Sequence, residues 1–188
     1  HGCFVTSSYS DNGVRLADVN GDSLIDVIKA RDLESIQGFS KIWLNNGTGW
    51  QLSNWTFTGC NTDAEDSCFI TTPQTSNKDR GVRLADINGD GLVDIARSLE
   101  SSSSNGFSKV WINNGTGWTY STMWSDGYPE CESGYVDGCF VTQDPNYKDK
   151  GTRFAEINGD GLVDIISARD GSPSTSTIWL NNGTGWTY

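Results

Sequence analysis

The chain is 188 residues long, with 24 acidic and 13 basic side chains and a formal charge of −11. That length holds one ordinary domain with a real core, and the charge sets nucleic acid aside, because phosphate recognition needs clustered Lys and Arg. No apolar run is long enough to cross a bilayer and no secretory h-region is present, so membrane insertion is not expected; a start at His1 instead of Met reads as a processed product or an excised piece.

In chain order, Cys3-Phe4-Val5-Thr6 leads through a polar stretch to Asp11-Asn12-Gly13-Val14-Arg15-Leu16-Ala17. The acidic loop Asp18-Val19-Asn20-Gly21-Asp22-Ser23-Leu24-Ile25-Asp26 follows, then an apolar run, then Trp43-Leu44-Asn45-Asn46-Gly47-Thr48-Gly49-Trp50. The unit returns twice, with acidic loops at 86–94 and 156–164 and tryptophan motifs at 111–118 and 179–186. Trp43, Trp111 and Trp179 are spaced by 68 residues, and Asp18, Asp86 and Glu156 by 68 and 70. A period of that size marks a stack of supersecondary units. Breaks near 66 and 137 divide the chain into 1–66, 67–137 and 138–188, the last truncated at its C-terminal end.

Each loop carries oxygen-bearing side chains at positions one, three, five and nine, and a carbonyl falls at position seven. A calcium ion takes six to eight oxygens at about 2.3–2.6 Å, and such alternation wraps them around it. The expected ligands are Asp18, Asn20, Asp22, the Leu24 carbonyl and Asp26; then Asp86, Asn88, Asp90, the Leu92 carbonyl and Asp94; then Glu156, Asn158, Asp160, the Leu162 carbonyl and Asp164. Three calcium ions would add +6 to −11 and leave −5, so much of the acidity reads as ligand charge. Arg97 stands where an EF-hand has its bidentate Glu, and no helical stripe flanks a loop, so the loops join β-strands. Without that Glu the sites are expected to be weak, about 10⁻⁴–10⁻³ M, and to hold strands together in calcium-rich fluid. Two positions depart from the pattern. Glu156 is longer than the Asp it replaces, and Ser23 must take a conformation usually left to glycine.

Around the second loop, Val82, Leu84, Ile87, Leu92, Val93, Ile95 and Ala96 follow strand periodicity. Asn46-Gly47 signals a two-residue type I′ hairpin, which predicts Trp43 opposite Trp50, Trp111 opposite Trp118 and Trp179 opposite Trp186. Such cross-strand pairs contribute about 0.2–1 kcal/mol each. These rings are expected to fill the core between sheets, with a sugar-stacking platform as the rival reading. Four strands per unit make a propeller blade. The expected fold is therefore all-β, three tandem four-stranded antiparallel propeller-type blades. Three blades do not close a ring alone, so a partial propeller or an open array is expected, its partners being other copies or further repeats of the same chain.

Cys60 and Cys68 are eight residues apart, as are Cys131 and Cys139. Two local disulfides and an oxidising, extracellular setting are the expected reading; a zinc site lacks both C-x-x-C spacing and imidazoles, His1 being the one histidine. Cys3 has no upstream partner. Asn46, Asn114 and Asn182 at the hairpins, and Asn54, begin N-glycosylation sequons, which read equally as turn chemistry. Asp11 with Arg15, Asp79 with Arg83 and Asp149 with Arg153 are expected to be structural pairs. No His-based triad or Cys–His pair can be assembled, and no carboxylate pair stands out, so an enzyme is not expected.

The Asp-x-Asn-Gly-Asp-Gly-x-x-Asp loop followed by Trp-[Leu/Ile]-Asn-Asn-Gly-Thr-Gly-Trp resembles the FG-GAP/VCBS repeat in all three units. The resemblance implies β-propeller blades that bind calcium between two strands, as in integrin α-subunit heads and certain fungal and bacterial lectins. A structural or adhesive extracellular role is the expectation, a subunit of a filament or surface array being one form of it; a glycan-binding propeller lectin is the alternative, with glycans as its partners.

Overall fold

The computed structural model describes residues 3–33, 36–55, 57, 60, 67–71, 78–100, 106–131, 138–142, 147–170 and 175–188. The elements are β1 (Val14–Ala17), β2 (Asp26–Leu33), β3 (Ile36–Asn45), β4 (Trp50–Leu52), β5 (Ile70–Thr71), β6 (Lys78–Asp79), β7 (Val82–Ala85), β8 (Asp94–Glu100), β9 (Phe107–Asn113) and β10 (Trp118–Ser121), followed by one short helix, α1 (Thr122–Asp126). The chain continues with β11 (Val141–Thr142), β12 (Thr152–Ala155), β13 (Asp164–Arg169), β14 (Thr175–Asn181) and β15 (Trp186–Thr187).

The fold is all-β, as expected. Each acidic loop connects two antiparallel strands, β1 to β2, β7 to β8 and β12 to β13, and the sheets extend through β3–β4, β9–β10 and β14–β15. Two pairings depart from a purely antiparallel plan. Strand β5 lies parallel on β2, with Ile70 opposite Arg31 and Thr71 opposite Asp32, and β11 lies parallel on β8, with Val141 opposite Leu99. The Cys-Phe-[Ile/Val]-Thr segment, which sequence comparison places at the start of a unit, therefore completes the sheet of the unit before it. Burial drives this: Phe69, Ile70, Phe140 and Val141 are all at most 1% exposed.

The hairpin register differs from the two-residue expectation. Asn45 faces Trp50, Leu44 faces Gln51 and Trp43 faces Leu52, so the loop is the four residues 46–49. Trp111 likewise faces Tyr120 instead of Trp118, and Asn181 faces Trp186. The cause is side-chain competition for the turn amides. Asn45 Oδ1 accepts from Gly47 N at 3.0 Å, while Asn46 Oδ1 accepts from Thr48 N at 3.0 Å and from its hydroxyl at 2.8 Å. A type I′ turn has no use for those bonds. Because the shift is two residues, every side chain keeps its face.

Apolar residues collect in two clusters, each spanning two sheets. The first joins Ile28, Ile42 and Phe69 to Val82, Ile95 and Trp118. The second joins Ala96, Val110 and Phe140 to Ile165, with Phe154 and Trp186 packed against it. Helix α1 is absent from the sequence reading; Ser121 caps it through its hydroxyl and it buries Trp124 to 2% exposure.

Candidate metal loops

Each loop starts as a strand ends, and its glycines turn the backbone. Gly21, Gly89 and Gly159 have φ near +80°, at 76°, 76° and 85°. Ser23 takes φ +67° where Gly91 and Gly161 take +86° and +84°, so the serine adopts the left-handed geometry that the sequence demanded of it.

The side chains of positions one, three and five close around this turn. Asp18 accepts from Gly21 N at 2.8 Å and from Ser23 N at 2.7 Å, and Asp86 accepts likewise from Gly89 N and Gly91 N, both at 2.8 Å. Glu156 accepts from Gly159 N at 2.6 Å. Asn20, Asn88 and Asn158 each donate to the Asp two residues on, at 2.9, 2.8 and 2.8 Å. The ninth-position carboxylates lie deeper. Asp26, Asp94 and Asp164 are 0% exposed. One oxygen of each accepts from Val19 N, Ile87 N or Ile157 N, at 2.9, 2.8 and 3.0 Å. The other accepts from Asn45 N, Asn113 N or Asn181 N, always at 2.7 Å. These acids brace the loop against the hairpin. Burial pushes the Asp94 carboxyl up to about 6, against the opposing pull of its amide bonds from Asn113, Ile87 and Asn88.

The donor set fits a hard cation in chemistry: oxygens alone, at alternate positions of a solvent-facing turn. Among the described residues, no three His, Cys, Asp or Glu side chains gather round one point. The ninth-position carboxylate of each loop is already engaged by two backbone amides, one from the loop and one from the hairpin.

The loops also touch the next unit. Asn113 Nδ2 donates to the Val19 carbonyl and Asn181 Nδ2 to the Ile87 carbonyl, both at 2.8 Å. Leu92 packs so closely on Gly21, and Leu162 on Gly89, that a Cβ on either glycine would meet the leucine at 2.9 or 2.5 Å. No sequence signal shows this coupling, since Asn113 and Val19 are 94 residues apart.

The remaining sequence-derived residues fall as follows. Cys60–Cys68 and Cys131–Cys139 are bridged, with Cα separations of 4.7 and 5.1 Å, and Cys3 is free and exposed. Each Arg of the Asp-x-Gly-x-Arg segments grips its Asp with two nitrogens, and the Arg153 bond holds the Asp149 carboxyl below the usual range. The Arg15 and Arg83 guanidinium groups lie over the Phe69 and Phe140 rings of the following unit, at 5.1 and 5.2 Å. Asn46, Asn54, Asn114 and Asn182 are exposed; Thr56, which completes the Asn54 sequon, lies outside the described residues. Trp118 sits edge-on to Trp55 and Phe57, and Trp186 to Trp124 and Tyr128, whereas Trp50 is 58% exposed. No helix of the described residues is long and apolar enough to cross a membrane.

No family profile matches the chain, and no curated protein matches it. Among solved structures, it is similar to a chain of the Photorhabdus luminescens Tc holotoxin pore, with 17% identity and a TM-score of 0.49 over 97% of this chain. The match covers 7% of that chain's length.

Proposed function

We propose that the chain is a non-enzymatic, extracellular β-repeat module of FG-GAP/VCBS kind, with propeller-type blades stapled by calcium and a structural or adhesive role. The carrying observation is the threefold recurrence of one loop path with its oxygen donors at the same positions; in the first two loops the position-two carbonyl, of Val19 or Ile87, is tied to the next unit through Asn113 or Asn181. Asp18, Asn20, Asp22 and the Leu24 carbonyl would hold the first ion, with the equivalent residues of the other loops holding theirs, and Asp26, Asp94 and Asp164 anchoring each loop from below. An ion there supplies positive charge to a crowded acidic turn and stiffens the joint between units. The two disulfides fit the oxidising compartment this role requires.

Calorimetry in calcium and in EDTA tests the reading. At a hundredfold excess over its dissociation constant, one bound ion stabilises by about 2.7 kcal/mol, and each kcal/mol moves the melting temperature by about 2–4 °C at this size. A rise of at least several degrees in calcium is expected. A melting curve indifferent to both would overturn the proposal.

A glycan-binding role is the second reading. It is favoured by a cleft of about 490 Å³ lined by Asn20, Asn45, Asn46, Gln51 and Asn54, with Trp55 at its edge. The Trp55 ring is half-buried against Trp118, which leaves it a poorer stacking surface than a free indole face. Binding on a glycan array that Gln51→Ala abolishes would favour this role. For the sequons, the hairpin asparagines are exposed and also bond their own turns, and intact mass separates the two readings: a mass above that of the bare polypeptide places glycans on the tips, and a mass equal to it removes them.

A further inference from the structure

The two internal joints repeat the same contacts, and each contact has an open half on the first unit and an open half on the third. At the joints, Phe69 N donates to the Ala30 carbonyl and Phe140 N to the Ser98 carbonyl, both at 3.2 Å, laying β5 and β11 along β2 and β8. The covered residues Ala30, Asp32, Ser98 and Leu99 are buried. Their counterparts, Ala168 and Arg169 at the end of β13 and Asp170 just after it, are exposed, and among the described residues no strand pairs with that edge beyond Ser167 except β14 on the other side.

A strand of the matching kind lies exposed on the first unit. Phe4 and Val5 are 54% and 51% exposed, while the equivalent Phe69, Ile70, Phe140 and Val141 are at most 1% exposed. The segment is already folded as it would dock. Asn12 N donates to the Phe4 carbonyl at 2.9 Å and Val5 bridges Asp11, as Arg80 N does to Phe69 and Lys150 N to Phe140, both at 3.0 Å, with Ile70 opposite Asp79 and Val141 bridging Asp149.

Other halves match with the same polarity. Arg15 and Arg83 cover a phenylalanine of the next unit, and the Arg153 side chain is 55% exposed. Asn113 and Asn181 reach back to Val19 and Ile87, both 0% exposed; Ile157 is 41% exposed, and Asn45 is the first unit's equivalent donor. Gly21 and Gly89 carry a leucine of the next unit, whereas Gly159 has nothing within 4 Å of where a Cβ would stand.

We propose that the third unit of one copy receives the first unit of a second copy through this same joint: Phe4–Thr6 adds in parallel to Ala168–Asp170, Arg153 covers Phe4, and Asn45 caps the Ile157 carbonyl. The proposal rests on the reading of the chain as a structural module and names its partner surface. The contact is heterologous, so it yields a ring if the rotation closes and a filament if it does not. It is weaker than the internal joints, because Asn12 stands where Arg80 and Lys150 pair with Asp32 and Glu100 across the joint.

Sedimentation velocity in calcium over a concentration series tests it. The wild type is expected to form rings or filaments with rising concentration. The double variant Phe4→Glu/Val5→Glu, which alters exposed positions, and Ala168→Glu at the other end are each expected to melt like the wild type and to associate at least about tenfold more weakly, since either buries an unpaired charge in the joint. Mixing the two is expected to give dimers and nothing larger, as each supplies the intact half the other lacks. A wild type that stays monomeric to its solubility limit, variants that associate as the wild type does, or a mixture that stays monomeric would overturn the proposal. A joint that fails while melting remains calcium-sensitive rejects self-association and leaves the calcium reading standing; a melting temperature indifferent to calcium rejects that reading whatever the sedimentation shows.

Discussion

Trp118→Ala is expected to lower stability by about 3–5 kcal/mol, the usual cost of truncating a buried aromatic side chain, and this takes a large part of the 5–15 kcal/mol that holds a typical domain together. Trp118 is 4% exposed and belongs to the cluster spanning the first two sheets. Its ring meets Trp55 and Phe57 at centroid distances of 5.7 and 5.3 Å, both edge-on, and its Nε1 donates to the Val93 carbonyl at 2.8 Å. Truncation opens a cavity between two units and removes the cap on Val93, at the end of the second loop. Trp50→Ala provides the internal control. Trp50 is 58% exposed and bonds Ile25 at the matching place, so its loss is expected to stay within about 0.5 kcal/mol. Chemical denaturation of the two variants side by side checks the contrast. Equal small losses would mean that the aromatic packing between units contributes little to the fold, and the sugar-platform reading of the tryptophans would gain.

The same contrast shows what could be read without coordinates. The three loops, the strands beside them, the paired cysteines and the burial of Trp111 and Trp118 follow from local spacing, whereas Trp50, expected in the core by the same rule, is 58% exposed; the strain at Ser23 follows from one substitution inside a repeat. Nonlocal features behave differently. Strand β5 is two residues long, and its partner lies 39 residues earlier, so no alternation pattern marks it. The turn departs from the expected register because Asn-Gly satisfies the type I′ rule, while Asn45 and Asn46 both direct their side-chain oxygens to the turn amides. Position nine of the loops reads as a ligand from spacing alone; only the fold shows that its two oxygens hold one amide of the loop and one of the hairpin. Repetition made the unit visible, and it also hid which unit each strand completes, since a strand shared between neighbours looks identical from either side.

Asp94 yields the second large effect. Its oxygens accept from Ile87 N at 2.8 Å and Asn113 N at 2.7 Å, with Asn88 N at 3.4 Å, and the residue is 0% exposed. Asp94→Ala leaves those amides buried without an acceptor, each worth about 1–3 kcal/mol, and a loss of about 3–5 kcal/mol is expected. Asp94→Asn separates shape from charge. The amide offers one acceptor oxygen and turns an NH₂ toward a backbone N–H, so a loss of about 1–3 kcal/mol is expected. The two variants also differ from the wild type in pH response. Burial raises the Asp94 carboxyl from 3.8 to about 6, so between these values the folded state holds a proton that the unfolded state has lost. In EDTA, wild-type stability is therefore expected to fall as pH rises from about 4 to 6 and to level off above, and Asp94→Asn is expected to flatten most of that slope. Burial also raises Asp26, which supplies the residual slope with the same sign, whereas Asp149, held low by Arg153, acts below this window. With calcium the sign is expected to invert, because ligand carboxylates must be ionised to bind the ion and binding weakens as they take up protons. Urea titrations of both proteins at pH 4, 5, 6 and 7, with and without calcium, measure all of this (conditions spanning the window about 3.8 to 6). A wild-type profile in EDTA that rises from pH 4 to 6 would mean that the ionised carboxylate is held by its amides more strongly than burial disfavours it, and the brace would then owe its strength to charge.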